Sequence, residues 1–282
     1  MKQKFVFFML AAIVAVGCSS DNEEKTVLNG SAVETSVLLT FSPYEVDAMT
    51  RTATTIAGIV THLDVWLYEN GNEVTSIHQS SGDSGFGSVS VTLDKTKTYT
   101  LYAVGHKCAS DATLADGIVS FPDDKVTHSM FYTTTFSPAT TTSLSCEMQR
   151  IVAMFRLETT DAVPAECKKI RFTISDVFDR WSVTDGGTHQ VNRVSTVSIT
   201  STANDGTVAI SIYAIATDAQ TLHTVTAEAL NESDEVIQSR VFENVPLCNN
   251  YRTTYRGAFF TDTEMSMSFV VNDWNEFDTV NF

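Results

Sequence analysis

Basic residues are scarce in this chain. Eighteen Lys and Arg stand against 34 Asp and Glu, a net charge of −16 and a pI near 4.6. A surface that neutralises nucleic-acid phosphates needs the opposite sign, as does one that adsorbs to anionic lipid, so both functions are disfavoured. Helical periodicity is missing as well: no stretch of ten or more residues repeats apolar positions every 3.6 residues. Beyond the first twenty residues no run approaches 18 apolar residues, which argues against a helical membrane span. There is no Cys-x-x-Cys, no His-Glu-x-x-His, no Gly-x-Ser-x-Gly and no phosphate-cradling glycine loop. What is present is β-forming. Hydrophobic residues make up 43% of the chain, too many for disorder, and 39 threonines supply β-branching where charged residues, at 18%, are few.

The N-terminus reads Met1-Lys2-Gln3-Lys4, then an apolar core from Phe5 to Val16, then Gly17-Cys18. This is the pattern of a secretory signal, with a core too short to span about 30 Å of hydrocarbon. Ala15-Val16-Gly17-Cys18 resembles a bacterial lipobox, which implies a leader over residues 1–17 and lipidation of Cys18. The polar, acidic stretch Ser19 to Glu24 follows, so residues 18–30 are expected to form a flexible tether. It resembles the acidic export signals of Bacteroidetes surface lipoproteins. Losing Lys2 and Lys4 takes the net charge from −16 to −18. The lipid is then the expected membrane attachment, at the outer membrane and on the cell surface.

Period-two alternation runs through the rest. Val37, Leu39 and Phe41 share one strand face, and Leu63, Val65 and Leu67 another, with Trp66 and Tyr68 opposite. Asn70-Gly71 is a pair that tolerates positive φ and predicts a hairpin into Val74–His78. Further strands are expected around Val89–Leu93, Tyr99–Val104, Met130–Phe136 and Thr142–Cys146. A second set covers Arg150–Leu157 (apolar on both faces), Ile170–Ile174, Val208–Ile212 and Met265–Val271. All five prolines are placed between strands. Many short strands with frequent turn signals predict an all-β chain of two sandwich domains, residues 31–145 and 146–282.

Chemistry-bearing clusters are weak. The four cysteines left after Cys18 are Cys108, Cys146, Cys167 and Cys248. Export permits disulfides, and pairing within each domain (Cys108 with Cys146, Cys167 with Cys248) is the favoured expectation, with free buried thiols as the alternative. The six histidines (His62, His78, His106, His128, His189, His223) are scattered without ligand spacing. Asp123-Asp124 and the group Asp176, Asp179 and Asp185 beside Gly186-Gly187 could offer oxygen ligands to calcium, but follow no EF-hand pattern. The expectation is therefore no metal, no cofactor and no enzymatic activity. Trp181 and Tyr251 are candidate platforms for sugar rings, the basis of an alternative reading as a glycan-binding surface lipoprotein of a polysaccharide uptake system.

Three passages carry a wider resemblance: Arg150-Ile151-Val152-Ala153-Met154-Phe155-Arg156-Leu157; Asn244-Val245-Pro246-Leu247 through Asn250-Tyr251-Arg252-Thr253-Thr254-Tyr255-Arg256-Gly257; and Val270-Val271-Asn272-Asp273-Trp274-Asn275-Glu276. With the lipobox and acidic leash they resemble the fimbrillin superfamily of Bacteroidetes, whose members build surface fimbriae. The resemblance implies two transthyretin-like sandwiches and a structural role as anchor, tip or stalk subunit. It implies partner subunits joined by a donated β-strand, and a host or bacterial surface as adhesion ligand. It also implies that stalk subunits are cut by an arginine-specific protease. Arg51, the one basic residue between Lys25 and Lys95, is where such a cut would fall and remove the Val37–Phe41 strand, whereas an uncleaved chain, the favoured expectation, would serve as anchor or tip.

Overall fold

The structure, a computed structural model, describes residues 33–44, 55–200, 202–203, 205–261 and 268–273. Strands take 62% of the described residues and helix 3%, so the all-β expectation holds. No helix among the described residues is long and apolar enough to cross a membrane.

The first nine strands are β1 (Glu34–Pro43), β2 (His62–Glu69), β3 (Asn72–Ser80), β4 (Ser88–Asp94), β5 (Tyr99–His106), β6 (Thr113–Ala115), β7 (Ile118–Ser120), β8 (Met130–Phe136) and β9 (Ser143–Arg150). Seven of them form a path in the order β3-β2-β5-β8-β9-β1-β4. The path turns a corner where β8 meets β9 over only two residue pairs, Met130 with Arg150 and Phe131 with Gln149. The two layers thus face each other. Val37, Leu39 and Phe41 of β1 pack in one cluster with Leu63, Val65 and Leu67 of β2 and Leu101 of β5. The β2–β3 hairpin turns at Asn70 and Gly71, both at positive φ (51° and 82°), as that residue pair predicts.

The remaining strands are β10 (Ala153–Thr159), β11 (Lys169–Ser182), β12 (Gly186–Ser198), β13 (Ala209–Ala214), β14 (Thr221–Leu230), β15 (Val236–Leu247), β16 (Tyr251–Gly257) and β17 (Ser268–Asp273). One sheet runs β13-β10-β16-β17; the other runs β15-β14-β11-β7-β6, with β12 also paired to β11. Phe155 of β10 centres their shared core, 5.9 Å from the ring of Phe172, 5.7 Å from Phe242 and 5.6 Å from Tyr255. Ser145, the expected boundary, lies inside β9, and Arg150–Leu157 is not one strand: β9 ends at Arg150 and β10 begins at Ala153. Buried Ile151 and Val152 cross between the sandwiches. They join a third apolar cluster with Trp66, Val104 and Phe131 on one side and Trp181 and Ile215 on the other. The β6–β7 hairpin, although early in sequence, hydrogen-bonds to β11 through Ser120, Val119 and Ile118.

The prolines depart from expectation at two places. Pro43 ends β1, and Pro246 sits within β15. A missing N–H is tolerated there because β15 is a sheet edge, bonded through its other side to β14.

Asp161 ties the exit of β10 to the chain after β16. Its Oδ1 accepts the Phe259 N–H (2.8 Å), and its Oδ2 accepts those of Phe260 (2.7 Å) and Thr261 (2.9 Å). Burial works to raise its pKa, but the three amides outweigh this and hold it below the ordinary carboxylate value. A depressed folded pKa contributes stability that is present above the unfolded value of about 3.9 and lost as pH falls through the folded one. Asp161→Ala is therefore expected to cost about 2–3 kcal/mol by urea unfolding at pH 7, with the gap from wild type closing below about pH 4. An equal gap at pH 7 and pH 2.5 would contradict this account.

Candidate functional site

The candidate site is the slot occupied by β1. This strand is not an edge. It runs antiparallel to β4, from Glu34 opposite Asp94 to Thr40 opposite Ser88, and parallel to β9, from Leu38 opposite Ser143 to Pro43 opposite Met148. Further backbone bonds extend both pairings: Leu38 N–H donates to Thr142 O (3.0 Å), Phe41 N–H to Gly87 O (2.8 Å) and Tyr44 N–H to Met148 O (2.9 Å). Val37 and Leu39 are wholly buried and Phe41 nearly so, whereas Leu38 on the outer face is 44% exposed. The alternation that marks this strand in the sequence is thus the alternation of pocket-filling and solvated side chains.

Gly87 and the short turn Ile56–Gly58 close one end. Gly87 has φ +85°, and a Cβ there would stand 2.6 Å from Cγ2 of Ile56. Close packing of Ile56 under the slot therefore requires glycine at 87. Burying three such apolar side chains is worth about 1.5–3 kcal/mol each. That is roughly 5–9 kcal/mol together, comparable with the total stability of a domain. Withdrawing β1 would also open two ladder edges, on β4 and on β9.

Of the residues that sequence reasoning placed at sites, Cys18 and Arg51 lie outside the described residues, as do Met265, Met267 and Trp274. The cysteines are a correction. Cys108, Cys146, Cys167 and Cys248 are all free and buried, because the favoured partners sit in different packing environments. Cys108 belongs to the cluster between the sandwiches and Cys146 to the first core. Cys167 lies in the second core and donates to Lys169 O (3.6 Å), while Cys248 donates to Asp218 O (3.1 Å). Burial pushes the Cys146 thiol up to about 12 and raises Cys167 and Cys248 as well. Thiols so protonated are poor nucleophiles.

The acidic groups do not converge. Asp123 pairs with Lys125 (3.5 Å), Asp179 with His189 (2.7 Å), Asp176 accepts from Gln190 and Asp185 from Ser182 and Thr184. Trp181 is 9% exposed and packs on Phe131 at 5.8 Å, so it offers no face to a sugar; Tyr251, 39% exposed, is the more open ring.

One constellation was missed by sequence reasoning. Asp64 on β2 stands directly opposite His78 on β3, and His62 opposite His106 on β5. The Asp64 carboxylate is wholly buried. Its Oδ1 accepts the His78 Nδ1–H (2.7 Å), and its Oδ2 accepts His106 Nε2–H (2.7 Å) and the Ala112 N–H (2.9 Å). Burial lowers the pKa of His106, but the bond and charge of Asp64 together with the Cys108 thiol more than offset this, raising it to about 9. The Cys108 N–H faces Nδ1 at 3.1 Å and needs a lone pair there, which opposes the second proton. In either charge state Nε2–H donates to Asp64. The Asn70-Gly71 turn gave no usable signal for it: the turn sets Glu69 opposite Asn72, and only a register shift between Leu67 and Tyr68 brings His78 opposite Asp64.

Comparison with known proteins adds fold and family. The model of a family of unknown function (DUF6562) matches residues 123–280. No curated protein matches the sequence. A candidate cell adhesion protein from Bacteroides ovatus is similar over 86% of this chain and 99% of its own, at 14% identity and a TM-score of 0.52. A candidate adhesin from Bacteroides thetaiotaomicron is similar over 84% and 96%, at 13% identity and the same TM-score of 0.52. The fimbrial anchor protein from Porphyromonas gingivalis aligns over 85% and 97%, at 11% identity and a TM-score of 0.48.

Proposed function

From the premise that the chain belongs to DUF6562, a family of unknown function, and shares its all-β fold with candidate adhesion proteins, we propose that it is a non-enzymatic structural component of cell-surface fimbriae. It joins other subunits by β-strand addition and is held at the outer membrane by a lipid on Cys18. The observation that carries this reading is the placement of β1. A strand that fills the middle of a sheet with three buried side chains is followed, within the next eight residues, by Arg51. A cut there would detach the strand and leave a slot shaped for another of the same alternation. The C-terminal strand β17 supports the same reading from the other side. It pairs only with β16 among the described residues, through Phe269 opposite Tyr255 and Val271 opposite Thr253, and so forms an edge.

In the intact chain the slot is self-filled, which suits an anchor or tip; a chain starting at Thr52 suits a polymerising stalk subunit. N-terminal analysis of protein recovered from the cell surface separates these, with a blocked, acylated Cys18 expected. Cys18→Ala is expected to abolish membrane retention almost completely, because the acyl chains are the attachment this reading assigns. Wild-type protein recovered without detergent in the aqueous phase would overturn the lipid assignment. Glycan uptake has less support, since Trp181 is buried.

A further inference from the structure

We infer that Asp64, His78 and Asp111 form a binding site for a divalent transition-metal ion of the zinc type, which would staple the loop after β5 to the β2–β3 hairpin. Each residue offers one donor atom, and the three atoms lie within 4.8 Å of one another. Asp64 Oδ1 is 2.7 Å from His78 Nδ1, which is 4.0 Å from Asp111 Oδ2. Tetrahedral zinc with bonds of about 2.0–2.2 Å sets its ligand atoms roughly 3.3–3.6 Å apart, between those two distances. His78 and Asp111 have side chains 36% and 50% exposed, so both can shift by the fraction of an ångström required and leave a face open for water.

The buried member is the fixed one. Asp64 Oδ2 is already held by His106 Nε2–H and the Ala112 N–H, leaving Oδ1 aimed at the other two donors. Hydrogen bonds on the far oxygen of a ligating carboxylate are how metal sites orient their ligands. The His78 ring is further set by an edge contact with Trp66, its centroid 6.2 Å away. One imidazole nitrogen and two carboxylate oxygens suit zinc and its neighbours better than calcium, which takes six to eight oxygens. A net charge of −16 adds a general attraction for cations.

The test is calorimetric titration of the purified full chain with zinc chloride, with thermal unfolding beside it. The variants are His78→Ala, Asp111→Asn and their double, both positions being exposed enough to leave the fold intact. One zinc per chain and a raised Tm are expected, with each single variant binding at least tenfold more weakly and the double showing neither effect. Absence of zinc binding by the wild type would overturn the site. So would undiminished binding by the double variant, or calcium bound as tightly as zinc.

Discussion

Deleting Glu34–Pro43 is expected to unfold the first sandwich outright. The loss comprises burial of Val37, Leu39 and Phe41, about 5–9 kcal/mol at 1.5–3 kcal/mol per side chain. Two rows of ladder bonds, to β4 and β9, go with it. A domain is stable by about 5–15 kcal/mol, so little or nothing remains. The second sandwich draws its core from residues 153 onward and is expected to keep its structure. Hydrogen exchange would then show protection surviving in β10, β11, β14 and β16 and lost in β2, β5 and β8. Milder damage to the same slot, Leu39→Ala, is expected to cost about 2–5 kcal/mol. A deletion variant with wild-type protection throughout would show that β1 is dispensable.

Asp64→Ala carries the next largest effect. The substitution strands His106 Nε2–H, whose ring is wholly buried, and the Ala112 N–H, both now paired with the carboxylate. Removing one partner of a buried charged pair costs about 3–5 kcal/mol, because the other is left without compensation. His78→Ala removes a partner that water can replace, and about 1 kcal/mol or less is expected. Urea unfolding in the presence of a chelator compares the two. Equal losses would mean that burial of the His106–Asp64 contact is not what makes Asp64 costly to remove.

Strands that bury one face cleanly were legible in the sequence. β1, β4 and β13 alternate apolar and polar residues in register with their burial, and the Asn70-Gly71 turn marked the β2–β3 hairpin through backbone conformation alone. β10 was readable as a central strand because it lies between β13 and β16. What escaped was structure whose physics is not periodic. β12 has no fully buried residue along its 13 positions, so no apolar repeat announces it. β6 and β7 are three residues each, too short for any pattern. The cysteines look pairable in an exported chain, yet burial is itself what free cysteine prefers, and separate cores absorbed them. The Asp64 cluster joins three strands and a loop, so its members are 14, 42 and 47 positions apart and no local motif can show them.

The most direct test of the slot is whether a free strand can refill it. A labelled synthetic peptide of residues 33–44 would be added to the chain lacking Glu34–Pro43, and binding followed by fluorescence anisotropy alongside hydrogen exchange. Saturable one-to-one binding that restores protection in β2, β5 and β8 is predicted, and a peptide carrying Leu39→Asp should fail. No binding, or equal binding by the Leu39→Asp peptide, would contradict assembly by strand addition at this site.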